Sequence, residues 1–173
     1  MPPRTAVTRP IPLLLAIALA ATTLTGCELL DLAQDCEGTD EARVKETAAL
    51  DILGARPDGA TVPRGFEEVD AGCWADSGEV VVYADRTYAF PGTRAEAAAH
   101  YRTVAVQDGW GAAPETPPGE LCFTKDAMAL RIAFLTAEGL AEDGHGRRPD
   151  LTTGAGYSVG VESYANSGTE AGC

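Results

Sequence analysis

Basic side chains are scarce in this sequence: 13 Lys and Arg stand against 26 Asp and Glu, giving a formal charge of −13. A chain this acidic has no basic face for phosphate, so nucleic acid is excluded as a partner. Histidine is almost absent, with only His100 and His145, which leaves little material for a metal centre or a general base. No CxxC occurs among the five cysteines, which removes the thioredoxin-type redox motif and the close pairs of a zinc site. No run of about 20 apolar residues occurs anywhere, so nothing reads as a membrane-spanning helix. Internal repeats and low-complexity stretches are missing as well. What remains is 173 residues with 45% hydrophobic and 23% charged side chains, the balance of one globular domain of ordinary size.

The N-terminal 26 residues read as a signal rather than as fold. Arg4 and Arg9 make a positive n-region, and Ile11 to Ala21 is an apolar run too short to span a bilayer. Leu24-Thr25-Gly26-Cys27 follows, and it resembles the lipobox of bacterial lipoproteins: an aliphatic residue, two small residues, then a thiol that accepts a diacylglyceryl group. We expect a signal peptide over 1–26, a lipidated Cys27 with a short tether over 27–38, and a single extracytoplasmic domain over 39–173. Removing two arginines takes the charge of the mature chain from −13 to −15. Anionic lipid repels such a chain, so the acyl chains must supply the membrane contact.

With Cys27 assigned to lipid, Cys36, Cys73, Cys122 and Cys173 remain. An even set in an exported chain implies two disulfides, with three possible connectivities. The preferred pairing is Cys73–Cys122, joining neighbouring strands, with Cys36–Cys173 tying the chain ends.

Along the domain, Thr39 or Asp40 caps a helix running to Leu53, with Val44, Ala48, Ile52 and Leu53 on one apolar face. Residues 56–64 are a loop. Strands are expected over Phe66–Trp74 and Glu79–Phe90, the second with Val80, Val82, Ala84, Tyr88 and Phe90 on one side. Thr93 and Glu96 form a capping box for a second helix, whose inward stripe is Ala97, Tyr101, Val104 and Ala105. Asp108-Gly109-Trp110 ends it. Strands beginning at Leu121 and holding Leu130, Ile132 and Phe134 follow, then a long loop over 137–155 and a last strand with Tyr157, Val159 and Val161. About five antiparallel strands with two helices on one face make an α+β sandwich. The PDGA of residues 57–60, the DGW of 108–110 and the strand opening on Leu121-Cys122 resemble small actinobacterial lipoproteins of unassigned function. That resemblance implies localisation and fold, and it supplies no catalytic residues.

Few residues could carry chemistry. Gly156-Tyr157-Ser158-Val159-Gly160 matches the nucleophile-elbow pattern, but the residues around it continue a strand and both histidines lie upstream. His145 with Glu142 and Asp143 could hold a metal only weakly. The acidic groups Glu67-Glu68-Asp70 and Asp31-Asp35-Glu37 lack the spacing of a calcium loop and read as solvated faces. Trp74, Tyr83 and Trp110 read as edge-of-core aromatics, with a binding patch as the other possibility. The expected function is a non-catalytic binding or interaction module of the cell envelope, with no catalytic residue, no cofactor and no metal. Its partners are the membrane, through lipid, and an envelope protein or polymer. A small secreted hydrolase or a weak metal binder is the alternative.

Overall fold

In a computed structural model of the chain, residues 39–76, 79–136, 149, 151, 154–164 and 173 are described. The chain divides into the units Met1–Asp31 and Leu32–Cys173, and everything below belongs to the second. The expectations for Cys27, Cys36, the tether, the Asp31-Asp35-Glu37 group and the loop holding Glu142, Asp143 and His145 lie outside the described residues.

The elements are α1 (Thr39–Ala48), α2 (Asp51–Gly54), β1 (Asp70–Asp76), β2 (Glu79–Phe90), α3 (Arg94–Gln107), β3 (Gly111–Ala112), β4 (Glu120–Lys125), β5 (Met128–Leu135) and β6 (Ala155–Tyr164). All six strands form one antiparallel sheet in the order β1-β2-β6-β5-β4-β3. This is the expected α+β class, with one strand more than expected. The addition, β3, is two residues long and pairs Gly111 with Thr124 and Ala112 with Phe123. Two residues leave no alternation to read.

Period-two patterning explains why β6 sits at the centre. Tyr157, Val159 and Val161 are fully buried on the same face as Ala84, Tyr88, Leu130 and Ile132. Ile52 and Leu53 of α2, and Ala97, Tyr101 and Ala105 of α3, join the same core. α1 lies on this face too, where Arg43 donates to the carbonyl and hydroxyl of Ser163, two residues on from Val161. Each fully buried Val, Leu or Ile contributes about 1.5–3 kcal/mol, so this layer dominates the stability. We call it the helix face; the other is the far face.

Two of the three core tyrosines tie the core to the backbone. Tyr88 donates to the Leu53 carbonyl at 2.6 Å and Tyr101 donates to the Ala55 carbonyl. Tyr157 lies between them, with ring centroids 5.5 Å from Tyr88 and 5.6 Å from Tyr101. Burial raises the hydroxyl of Tyr157 to about 12 and that of Tyr101 further, so both stay protonated across the physiological range.

The capping box is present as read: Glu96 N donates to Thr93 Oγ1 at 3.2 Å, and Thr93 N donates to the Glu96 carboxylate at 2.7 Å. Gly109, at φ +84°, turns the chain so that Trp110 N reaches the Ala105 carbonyl and the indole is buried. The first helix departs from expectation, since it breaks at Ala49 and Leu50. Leu50 is extended at φ −64°, ψ 129°. The break rotates α2 so that consecutive residues Ile52 and Leu53 both enter the core, which one straight helix could not do with the α1 stripe. β1 starts at Asp70 rather than Phe66, because residues 63–66 close a turn in which Phe66 N donates to the Pro63 carbonyl.

The expected pairing of Cys73 with Cys122 is wrong. Cys122 is bonded to Cys173, with Cα atoms 6.0 Å apart. β1 and β4 are separated by three strands, about 19 Å at the usual spacing, against the 4.4–6.8 Å that a disulfide spans. The two side chains also point to opposite faces: Cys73 stands opposite Val82 and Cys122 opposite Arg131. The Cys36–Cys173 pair falls with it. Cys73 is disulfide-bonded in its own right.

The Cys122–Cys173 bond closes a separation of 51 residues, worth about 4 kcal/mol in the chain-entropy model. Cys173→Ala together with Cys122→Ala should therefore lower the thermal midpoint by several degrees, read by circular dichroism. Peptide mapping without reductant should recover residues 122 and 173 in one linked fragment; a fragment linking 73 to 122 would contradict the register.

Candidate functional site

The far face carries the polar chemistry of the sheet. Across its centre the register sets one row: Asp70 of β1, Asp85 of β2, Gly160 of β6, Arg131 of β5 and Cys122 of β4. The next row holds Gly72, Tyr83, Glu162, Ala129 and Thr124. A third places Ser158 between Thr87 and Ala133. None of the three described helices covers this side.

The far face is not bare, because Val81, Cys122 and Ala129 are buried there. The same face holds a cavity of about 50 Å³ lined by Asp85, Ala129, Arg131, Ser158, Gly160 and Glu162. That is room for a few water molecules or one small group, far below the roughly 300–1,000 Å³ of sites for drug-sized ligands.

Glycine makes the cavity possible. A Cβ on Gly160 would come within 2.2 Å of Asp85 Oδ1, so the carboxylate rests on the bare backbone of β6. A Cβ on Gly156 would meet the Leu151 side chain at 2.3 Å. The two glycines of the GxSxG sequence thus admit neighbouring side chains on the far face. They do not form a strand-to-helix elbow, since β6 runs straight from Ala155 to Tyr164. Ser158 points to the far face, whereas His100 stands on α3, packed edge-on against Tyr101 at 5.2 Å on the helix face. The sheet separates the two.

Asp85 is electrostatically ill at ease. Burial raises its carboxyl to about 6, with Glu162 and Asp70 pushing the same way and Arg131 opposing them. Arg131 is shared, its Nε lying 3.4 Å from the Glu120 carboxylate. Tyr83 is raised too, by burial first and then by Asp70 and Asp85. Its hydroxyl lies where a Cβ on Gly72 would stand 2.9 Å away.

Of the aromatic residues named from sequence, Trp110 is core, Tyr83 belongs to the far-face rows and Trp74 is 40% exposed on the same side of edge strand β1. Asp70 of the Glu67-Glu68-Asp70 group joins the site, while Glu67 and Glu68 precede the strand. Among the described residues, no group of three or more His, Cys, Asp or Glu is placed to hold a metal ion, and no helix is long and apolar enough to cross a membrane. Sequence reasoning missed Asp85, Glu162 and Arg131. Each sits in a strand pattern as an ordinary outward residue, and only the order of strands brings them together.

Comparison with protein-family models, with curated proteins and with solved structures gives no match.

The folded protein ionises Asp85 near pH 6, the unfolded chain near 4, so ionised Asp85 weighs against the fold at neutral pH. The stability held by the protonated form is complete below about pH 4 and is lost as pH rises through 6. Asp85→Asn should therefore stabilise the protein by roughly 2–3 kcal/mol at pH 7.5, with the gain vanishing by about pH 4. Urea unfolding at the two pH values measures this; an equal gain at both would show that packing, not charge, is responsible.

Proposed function

We propose that this protein is an extracytoplasmic lipoprotein, anchored through Cys27, whose α+β domain is a non-catalytic binding module of the cell envelope. The observation that carries the reading is cysteine usage. Cys73, Cys122 and Cys173 are all in disulfides, which reducing compartments do not maintain. Of the two cysteines left, Cys27 directly follows Leu24-Thr25-Gly26 and ends a short apolar run with a basic start. If Cys27 carries lipid, Cys36 is the cysteine that remains for Cys73.

The same reading accounts for the charge. An acidic domain gains nothing from an anionic membrane surface, so lipid is the anchor that fits. Cys27→Ala should then either stay uncleaved or appear in the medium, while the wild type partitions into detergent on fractionation. A Cys27→Ala protein that is still processed and still partitions with membrane lipid would overturn the anchor.

The non-catalytic part rests on geometry. A serine nucleophile needs a base within hydrogen-bond reach and an exposed turn, and Ser158 stands mid-strand with the sheet between it and His100. A fluorophosphonate probe should label the protein no more than background. Labelling lost on Ser158→Ala would favour the hydrolase instead.

A further inference from the structure

The far-face cavity brings together groups that the sheet does not need. Asp85 and Glu162 both border it, Ser158 offers a hydroxyl, and Arg131 is drawn toward Glu120 at 3.4 Å. Facing Asp85 from the packed strands are Asp70 on β1, Glu162 and Ser158 on β6, and Arg131 on β5, with Tyr83 beside it on β2. Among the described residues, carboxylates therefore outnumber the single guanidinium, and that guanidinium is already shared. The bare backbone at Gly160 is what lets the Asp85 carboxylate rest over β6 at the cavity wall, since a Cβ there would force the carboxylate to shift.

From this arrangement we infer that the cavity binds a primary ammonium group, held by the Asp85 and Glu162 carboxylates and the Ser158 hydroxyl. The inference rests on the binding-module reading above and supplies its ligand chemistry. An ammonium donates three hydrogen bonds, and three acceptors border the cavity. An anion would face two carboxylates against the one guanidinium of Arg131, which Glu120 already engages. A metal ion would want more ligands than are grouped here among the described residues. A quaternary ammonium has no hydrogen to donate to these acceptors. A bound cation would also relieve the repulsion that now keeps Asp85 protonated in mildly acidic conditions. The ammonium could belong to a free small amine or to a lysine side chain of a larger partner, and the cavity chemistry is the same for both.

The test uses the full-length protein extracted in a non-ionic detergent, with carboxyl and amide resonances followed by NMR at constant ionic strength. Methylammonium chloride and Nα-acetyl-lysine amide are titrated separately, with sodium chloride and tetramethylammonium chloride as controls. Saturable shifts confined to the cavity residues are expected, with the Asp85 titration midpoint falling by about one pH unit at saturation. Asp85→Asn should weaken the binding at least tenfold. Gly160→Ala should do the same while amide dispersion shows the fold intact, and Glu162→Gln, which removes charge at almost constant shape, keeps the test open if Gly160→Ala does not fold. Binding of methylammonium alone assigns a free amine, and binding of acetyl-lysine amide alone assigns a lysine side chain; binding of both assigns the ammonium itself. No saturable shift with either ligand, equal shifts with the control salts, or undiminished binding by Asp85→Asn would overturn the inference. None of these results bears on whether Cys27 is lipidated, which fractionation decides separately.

Discussion

The whole molecule hangs on the placement of β6 between β2 and β5. All ten of its residues pair with Val81–Phe90 on one side, and eight of them pair with Met128–Leu135 on the other. A strand held on two edges cannot slip without breaking both ladders. A slip of one residue would also carry Tyr157, Val159 and Val161 out of the core and push Ser158 and Glu162 into it. Register is therefore fixed by burial on one face. The chemistry of the opposite face follows from that choice: once Tyr157 and Val159 point inward, Gly156, Ser158, Gly160 and Glu162 must point outward.

This coupling explains why an awkward carboxylate persists. Asp85 is held opposite Gly160 by the same ladder that buries Ala84 beside Val161, so the core cannot form without presenting the carboxyl to the far face. Replacing aspartate with a neutral side chain would remove the repulsion from Glu162 and Asp70 at no cost to the core. A residue that opposes stability, with no structural return, is where a functional demand is expected. The contrast with Tyr88 is instructive. Tyr88 is wholly buried, and its hydroxyl donates to the Leu53 carbonyl at 2.6 Å and ties α2 to the sheet. Tyr88 has a structural reason to be polar, and Asp85 has none that the fold provides.

Local signals were legible in the sequence wherever a residue type has one dominant physical role. The Thr93–Glu96 capping box, the Gly109 stop, the Trp110 fold-back and the alternation of β2 all follow from short-range chemistry, and each stands where the pattern puts it. The break at Leu50 was not legible, because it is imposed by the core's need for both Ile52 and Leu53 rather than by a breaker residue. Strand order was not legible either. Hairpin-length connections suggest that neighbours in sequence are neighbours in the sheet, which holds for β1 with β2, β3 with β4 and β4 with β5. It fails for β2, whose second partner is β6 rather than β3, with α3, β3, β4 and β5 lying between them in sequence. The mistaken cysteine pairing comes from that one failure. So does the blindness to the site, whose row Asp85–Gly160–Arg131 draws on three strands that no local pattern brings together. The GxSxG sequence marks the opposite case: the motif is present, but its glycines answer to Leu151 and Asp85 rather than to a turn.

Covalent chemistry and the candidate site meet on the far face. Cys122 ends the row that begins at Asp70 and passes through Asp85, Gly160 and Arg131, so its bond to Cys173 fixes a further residue beside the cluster. Cys122 is itself buried, although the helices lie on the other side of the sheet. A thiol there could pack as a small apolar residue without a partner. Its pairing with Cys173 instead makes the oxidised state part of the far-face architecture. The core of the helix face owes nothing to that bond, being built from aliphatic and aromatic contacts alone. Cys73, on the helix face, is disulfide-bonded as well, so each face of the sheet combines burial with a covalent tie that needs an oxidising environment.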